Sequence, residues 1–183
     1  MRNRSRGTKG QQITEFGAAL VLLFLIFFMP MLDLGILPIR WFLSREIVAN
    51  YARKLSLCET YSQALSMLNA DPSMETQLIR LGGVKPRNIR CDLIVSSVRS
   101  GERFVVTQPR TVPGQWLPNG SRAPCDYAME VAADVDISPV FLVNAGGGKI
   151  PGLNCPVSFT IAAESNWENL GRDPVTKVFF LNE

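Results

Sequence analysis

Glu15 is the ionisable group whose placement most clearly implies chemistry. The seventeen residues that follow it, Phe16 to Leu32, carry no charge. A carboxylate beside such an apolar run is costly to desolvate unless a positive group neutralises it. Cleavage between Gly10 and Gln11 would create an α-amino group on Gln11 and make Glu15 the fifth residue of the new chain. That amino group could pair with Glu15 of a neighbouring copy, so a single cut would supply the counter-charge.

The cysteines are the second set of reactive groups. There are four of them, Cys58, Cys91, Cys125 and Cys155, and none forms a CxxC pair. Dispersed cysteines in even number indicate two disulfides in an oxidising compartment, and four reduced thiols in a cytosolic domain are the alternative. An up-and-down strand order would bring Cys91 and Cys125 together and leave Cys58 for Cys155. Four cysteines allow three pairings, so the connectivity stays open.

Signals for an enzyme or a cofactor site are weak. The chain has no histidine, the commonest general base and a common metal ligand. The stretch from Asn144 to Lys149 lacks the spacing of a phosphate-binding loop, and a flexible loop is favoured. Asp134 and Asp136 without a ligand loop fit a solvated strand face better than a calcium site. We therefore expect no enzyme activity, no metal and no cofactor.

The element that positions Glu15 is a long apolar helix. From Phe16 to Ile39 it would measure about 36 Å, enough to cross the roughly 30 Å hydrocarbon core of a membrane. A buried core helix is the alternative, but such helices are rarely apolar on every face for this length. Pro30 and Pro38 should each loosen or kink one turn, unless they are tolerated passively. Asp33 is expected near the far interface, facing water or headgroups.

The distribution of charge predicts how the chain is oriented in a membrane. The formal net charge is +3, with nineteen basic and sixteen acidic residues, but Met1–Gly10 holds four of the basic residues and no acid. Without this segment the balance is close to neutral, which argues against a nucleic-acid-binding protein. Basic residues also follow the helix, so the positive-inside count is near a tie. The acid-free leader and the cysteines favour an N-terminus in the cytoplasm.

The rest of the chain predicts an α+β head domain. An amphipathic helix should continue from Ser44 to about Asn69, forming one helix of some fifty residues with the apolar run. A short helix, Pro72–Leu81, should end at Gly82-Gly83. Alternating apolar residues predict a small antiparallel sheet with one wet face. The expected strands are Ile89–Ser97, Arg103–Gln108, Tyr127–Ser138 and Val157–Glu164, with an edge strand at Val175–Leu181. Trp116 and Trp167 are either contact anchors or pins that hold their loops on the sheet.

The N-terminal third resembles a known family. A short basic leader, Gly10 before the cut and Glu15 at the fifth place after it are similar to type IV pilins and pseudopilins. Glu15-Phe16, the long apolar helix and Leu32-Asp33-Leu34-Gly35 narrow the resemblance to TadE-like pseudopilins of the Flp (tight adherence, type IVb) pilus system. The resemblance covers roughly residues 7–60. Beyond them it is architectural only.

The resemblance implies an order of parts and a set of partners. Residues 1–10 would be a prepilin leader, 11–42 a transmembrane helix and 43–183 a head outside the bacterial inner membrane. Glu15 and Phe16 would align subunits in the membrane. Prepilin peptidase, the major pilin, other pseudopilins, the inner-membrane assembly platform and membrane lipid are the implied partners, in a filament used for adhesion or secretion. The alternative is an uncleaved, membrane-anchored binding or adhesion module.

Overall fold

The computed structural model describes residues 8–141 and 148–181, with side chains from Thr14 onward. The chain is an α+β protein in which helices precede a four-stranded antiparallel sheet. It divides into two compact units, Met1–Ile39 with Ser138–Val157, and Arg40–Ile137 with Ser158–Glu183. The first unit carries most of the apolar helix, and the second carries the sheet.

The apolar helix contains an irregular turn beside Pro30. Helix α1 spans Thr8–Leu23, a π-helical turn covers Phe24–Phe28, and α2 spans Met29–Ser56. The Met29 N–H donates to the Phe24 carbonyl, five residues back. Pro30 has no N–H for the carbonyl of Ile26, and π-helical turns often accommodate such a break in the regular ladder. Pro38 lies inside α2 without interrupting its assignment as α-helix.

The predicted fifty-residue helix ends earlier than expected. After α2 ends at Ser56, α3 spans Tyr61–Ala70 and α4 spans Ser73–Arg80. Thr60 starts α3 because its Oγ1 accepts a hydrogen bond from the Gln63 N–H at 3.2 Å. The Gln63 Oε1 in turn accepts from the Glu59 N–H at 2.9 Å. Thr and Gln at this spacing resemble a capping box, and this signal in the sequence marks the break.

The apolar stripe predicted along these helices is confirmed as a core face. Tyr51, Leu55, Cys58 and Tyr61 are buried, while Ile47, Leu65 and Leu68 are half-buried. The Tyr61 hydroxyl donates to the carbonyl of Cys91 at 2.8 Å, which joins α3 to the sheet inside the second unit. Burial of this ring is the main reason that the pKa of Tyr61 is raised.

The sheet has four strands in the order β2-β1-β3-β4. Strand β1 is Val84–Ser97, β2 is Arg103–Val106, β3 is Cys125–Ile137 and β4 is Val157–Asn166. The expected up-and-down order is wrong, because the long β1 pairs with β2 along one edge and with β3 along the other. The expected edge strand at Val175–Leu181 is also wrong, since this segment forms turns with an isolated bridge between Arg172 and Phe179.

The inward face of β3 follows the predicted alternation. Five alternating residues of β3 are all buried, namely Met129, Val131, Ala133, Val135 and Ile137, and the small Ala132 on the opposite face is buried as well. Leu93 on β1 pairs with Met129, and both are fully buried. On β4 only Ile161 is fully covered, whereas Val157 and Phe159 are half-buried. Alternation therefore identifies the dry face of the central strands best, because these have a neighbour on each side.

The strand order also overturns the predicted Cys91–Cys125 disulfide. Cys91 lies opposite Val131, whereas Cys125 lies opposite Ser97. Six ladder positions separate them, about 20 Å at the rise of an antiparallel strand. Disulfides need Cα atoms within about 7 Å. All four cysteines, including Cys58 and Cys155, are free thiols in this structure. Burial is the main cause that raises the pKa of the Cys91 thiol to about 12.

Candidate functional site

The N-terminal residues expected to act in processing and alignment lie at the start of the apolar helix. Gly10 and Gln11 are part of the α1 backbone, and residues 1–7 of the basic leader lie outside the described residues. Glu15 is exposed, and Phe16 is 70% exposed. Five residues of helix place Glu15 about 7.5 Å along the axis from Gly10. An amino group created after Gly10 would thus begin the same helical segment that presents Glu15.

The helix that follows presents apolar side chains on all sides. Within the part of the chain that the structure describes, one helix, Thr14–Ser56, is long and apolar enough to cross a membrane. Its most apolar window has a mean hydropathy of 2.6 and is 6% buried. A contiguous apolar surface of this size needs lipid or other helices to cover it. Burial in a soluble core, the alternative from the sequence, does not describe this helix.

Asp33 does not face water, contrary to the expectation from the sequence. Its side chain is fully buried. The Asp33 Oδ1 accepts hydrogen bonds from the backbone N–H groups of Val140 at 2.7 Å and Phe141 at 3.1 Å. The Asp33 Oδ2 is also buried and has no hydrogen-bond partner in the structure as described. The carboxylate thus fastens a distant part of the chain to the helix within the first unit.

That distant part is the segment between β3 and β4, here named the β3–β4 connection and defined by its described residues Ser138–Phe141 and Gly148–Pro156. Asn154 closes its second arm, because Oδ1 accepts from the Ile150 N–H at 2.6 Å and Nδ2 donates to the Gly148 carbonyl at 2.5 Å. Gly152 lies against the helix with φ +84°. A Cβ there would stand 2.7 Å from the movable Leu37 Cδ1, and it is the left-handed φ that favours glycine at this turn.

A groove runs between the helix and this connection. It is lined by Leu22, Leu25, Ile26 and Pro30 on the helix and by Ile150, Leu153 and Asn154 on the connection, with a volume of about 400 Å³. The helix residues recur at steps of three and four, so they share one face. Asn154 supplies the polar side chain of this lining. This site was not predicted from the sequence. Asp33, an acid within an otherwise apolar helix, was the signal that could have indicated it.

No known protein family, no curated protein and no solved structure matches this chain. The architecture is pilin-like. Its N-terminal helix is apolar and exposed in the first half, and its second half packs against a four-stranded antiparallel sheet. The pilin-like architecture and the residues at the start of the helix are therefore the features that bear on function.

The two tryptophans considered as contact anchors hold their own loops in place. Trp116 and Trp167 are both buried. The Tyr127 hydroxyl donates to the Trp116 carbonyl at 2.7 Å, and the Trp116 ring stacks on Phe104 with centroids 5.8 Å apart. The indole N–H of Trp167 donates to the Asn169 carbonyl at 2.8 Å. Their burial leaves little ring surface for a partner.

The aspartates of β3 belong to a hydrogen-bonded row on the wet face of the sheet. Asp134 accepts from the Thr160 hydroxyl at 2.7 Å, and this bond is the main cause that lowers the pKa of Asp134. Asp136 accepts from the Ser158 hydroxyl at 2.6 Å and pairs with Arg87. An open depression of about 450 Å³ on this face is lined by Arg87, Asp134, Ser158, Phe159 and Thr160. Among residues 8–141 and 148–181, no three acidic, cysteine or histidine side chains are grouped as metal ligands.

Replacing Glu130 with glutamine should stabilise the protein at neutral pH. Burial, followed by the charges of Glu164 and Asp92, raises the pKa of Glu130. The native state therefore binds a proton more tightly than the unfolded state, and stability falls as pH rises through the raised pKa. Relieving like charges across strands is worth about 0.2–1 kcal/mol. Thermal unfolding of the full chain in detergent should show a higher Tm for E130Q at pH 7.5 and little difference in acid, where Glu130 is protonated.

The matched control is Glu168→Gln, because Glu168 is exposed and lies beyond β4. E168Q should leave Tm unchanged at both pH values. A Tm for E130Q at or below that of the unmodified protein at pH 7.5 would contradict the predicted repulsion.

Proposed function

We propose that this protein is a TadE-like pseudopilin or minor pilin that contributes to assembly of a Flp-type pilus or a related secretion filament. The observation that carries the proposal is the division of one long helix. Its first half is apolar, exposed and headed by Glu15, and its second half packs against the sheet. A helix of this kind can be anchored in a membrane by one half and carry a head domain on the other. The role is structural rather than catalytic.

The chemistry at the N-terminus would begin with prepilin peptidase, which removes the basic leader by cleaving between Gly10 and Gln11. The new α-amino group and Glu15 would then pair between neighbouring subunits. Such a pair offsets part of the cost of placing each charge in an apolar setting. The π-helical turn over Phe24–Phe28 offers a place where the helix can bend when it moves from membrane to filament.

The proposed location is the bacterial inner membrane, with a single span, the N-terminus in the cytoplasm and the head in the periplasm or outside the cell. The proposed partners are prepilin peptidase, the major Flp-type pilin, other pseudopilins and the inner-membrane assembly platform. The resemblance at Gly10, Glu15 and Phe16 supports these partners. An oxidising compartment would also allow the four free thiols to form disulfides.

The test is the intact mass and N-terminal sequence of the protein extracted, without reduction, from its own membranes. We expect a chain that starts at Gln11. A strain lacking prepilin peptidase is the control, and it should yield a chain that still carries residues 1–10. Retention of these residues in cells with an active peptidase would contradict the proposal and favour an uncleaved, membrane-anchored binding module. The same spectrum reports disulfides, because each one formed removes two thiol hydrogens.

A further inference from the structure

We infer that the β3–β4 connection is a second membrane-contacting element, and that its exposed apolar side chains and the groove beside it bind phospholipid acyl chains. This lipid contact rests on the proposed function, because it requires a membrane around the apolar helix. The connection would then lie at membrane depth, fastened to the helix through Asp33. The head would contact the bilayer through this element as well as through the helix itself.

The position of the connection along the helix is the first support. Its contacts run from Leu37, which touches Gly152, through Asp33 to the groove that reaches Leu22. Leu22 to Leu37 covers about 22 Å of helix axis, well over half of the apolar span. A segment attached along this length must share the surroundings of the helix. If lipid surrounds the helix there, lipid also surrounds the connection.

Six of the described backbone N–H groups of the connection have hydrogen-bond partners within the first unit. Irregular backbone is not tolerated in hydrocarbon unless its polar groups have partners. The N–H groups of Val140 and Phe141 donate to Asp33, and that of Ile150 donates to the Asn154 side chain. Partners inside the connection accept the other bonded N–H groups, those of Gly152, Leu153 and Asn154. Pro139, Pro151 and Pro156 have no N–H to satisfy.

The surface of the connection is apolar. Val140 is 44% exposed and Ile150 is 48% exposed. Lys149 is the single charged residue in the sequence from Ser138 to Pro156, and its long aliphatic stem allows the ammonium group to reach toward a polar boundary. A surface built to face water at this length would be expected to carry more charge, as the wet face of the sheet does.

The size of the groove favours a hydrocarbon chain over a second protein helix. A volume of about 400 Å³ corresponds to roughly thirteen water-sized units at about 30 Å³ each. An acyl chain is a single file of units of that order. A protein helix is about 10 Å across, so a volume of about 400 Å³ would hold only about one turn of it. The groove therefore fits a lipid chain better than the apolar helix of a neighbouring copy.

The experiment places a photo-crosslinking amino acid, p-benzoylphenylalanine, at Ile150 of the full chain in nanodiscs of phosphatidylethanolamine and phosphatidylglycerol. After illumination, intact mass reports covalent lipid adducts. Val140 is a second position on the connection, in case the change at Ile150 disturbs folding. Val175 is the aqueous control, because it is 85% exposed and lies in the second unit. We expect lipid adducts at Ile150 and Val140 in about tenfold excess over Val175, because hydrocarbon would surround the first two positions and water the third.

Phe27 on the helix separates the inference from the proposed function, because it is 61% exposed and does not line the groove. Lipid adducts at Phe27 with none above the Val175 level at Ile150 and Val140 would overturn the inference and leave the membrane helix intact. Crosslinked protein dimers in place of lipid adducts at Ile150 would also overturn it, in favour of a second copy. Absence of lipid adducts at Phe27 as well would overturn both the membrane anchor and the lipid contact.

Discussion

Replacing Glu15 with glutamine is expected to lower the incorporation of this protein into filaments by at least about tenfold. Glutamine keeps the size of the side chain but cannot form the ion pair with a neighbouring α-amino group. Breaking a buried ion pair by removing one partner costs about 3–5 kcal/mol, and every 1.4 kcal/mol is a factor of ten in an equilibrium. Because some of this cost is screened at the membrane boundary, tenfold is the lower bound. The measurement is the ratio of protein in sheared filaments to protein in membranes.

Glu46→Gln is the matched control for this prediction. Glu46 is exposed and lies on α2, in the part of the helix that belongs to the second unit. Its substitution should leave incorporation unchanged. Cleavage after Gly10 should proceed in both variants, so that a deficit of E15Q in filaments reports assembly and not processing. Equal incorporation of E15Q and the unmodified chain would remove the alignment role from Glu15.

The sequence predicted the elements whose pattern is local. Alternation along β3 identified five of its seven buried residues, and the stripe from Tyr51 to Tyr61 identified the core face of the helices. Both patterns arise because one face of each element is dry and the other is wet. The break before α3 was not predicted, although the capping spacing of Thr60 and Gln63 marks it in the sequence. Local chemistry thus accounts for the type and burial of most elements.

The contacts that the sequence did not reveal join residues far apart in the chain. Asp33 and Val140 are 107 residues apart, and no local pattern links them. Strand order is equally non-local, because β1 can pair with β3 as well as with its hairpin partner β2. The wrong Cys91–Cys125 pairing followed directly from the wrong strand order. An acid within a long apolar helix, such as Asp33, is best interpreted as having a specific partner even when the sequence does not identify that partner.

Replacing Asp33 with leucine is expected to release the first arm of the β3–β4 connection from the helix. The Asp33 Oδ1 accepts both the Val140 and Phe141 N–H bonds, and leucine offers no acceptor. A hydrogen bond to a charged group is worth about 1.5–3 kcal/mol, so loss of two should favour local opening by about 3 kcal/mol or more. Hydrogen exchange at these two amides should then accelerate by about 100-fold. Mass-spectrometric exchange on the full chain in detergent measures it, with β3 peptides as the internal reference.

Asp33→Asn is the matched variant, because its side-chain oxygen can still accept both N–H groups while its NH2 takes the place of the buried Oδ2. Exchange at Val140 and Phe141 in D33N should lie between that of the unmodified protein and that of D33L. This order follows because asparagine keeps an acceptor oxygen but makes weaker, uncharged hydrogen bonds, whereas leucine offers no acceptor. If D33L exchanged no faster than the unmodified protein, the connection would be held by its apolar contacts with Leu37 and the groove, and Asp33 would not be the residue that fastens it.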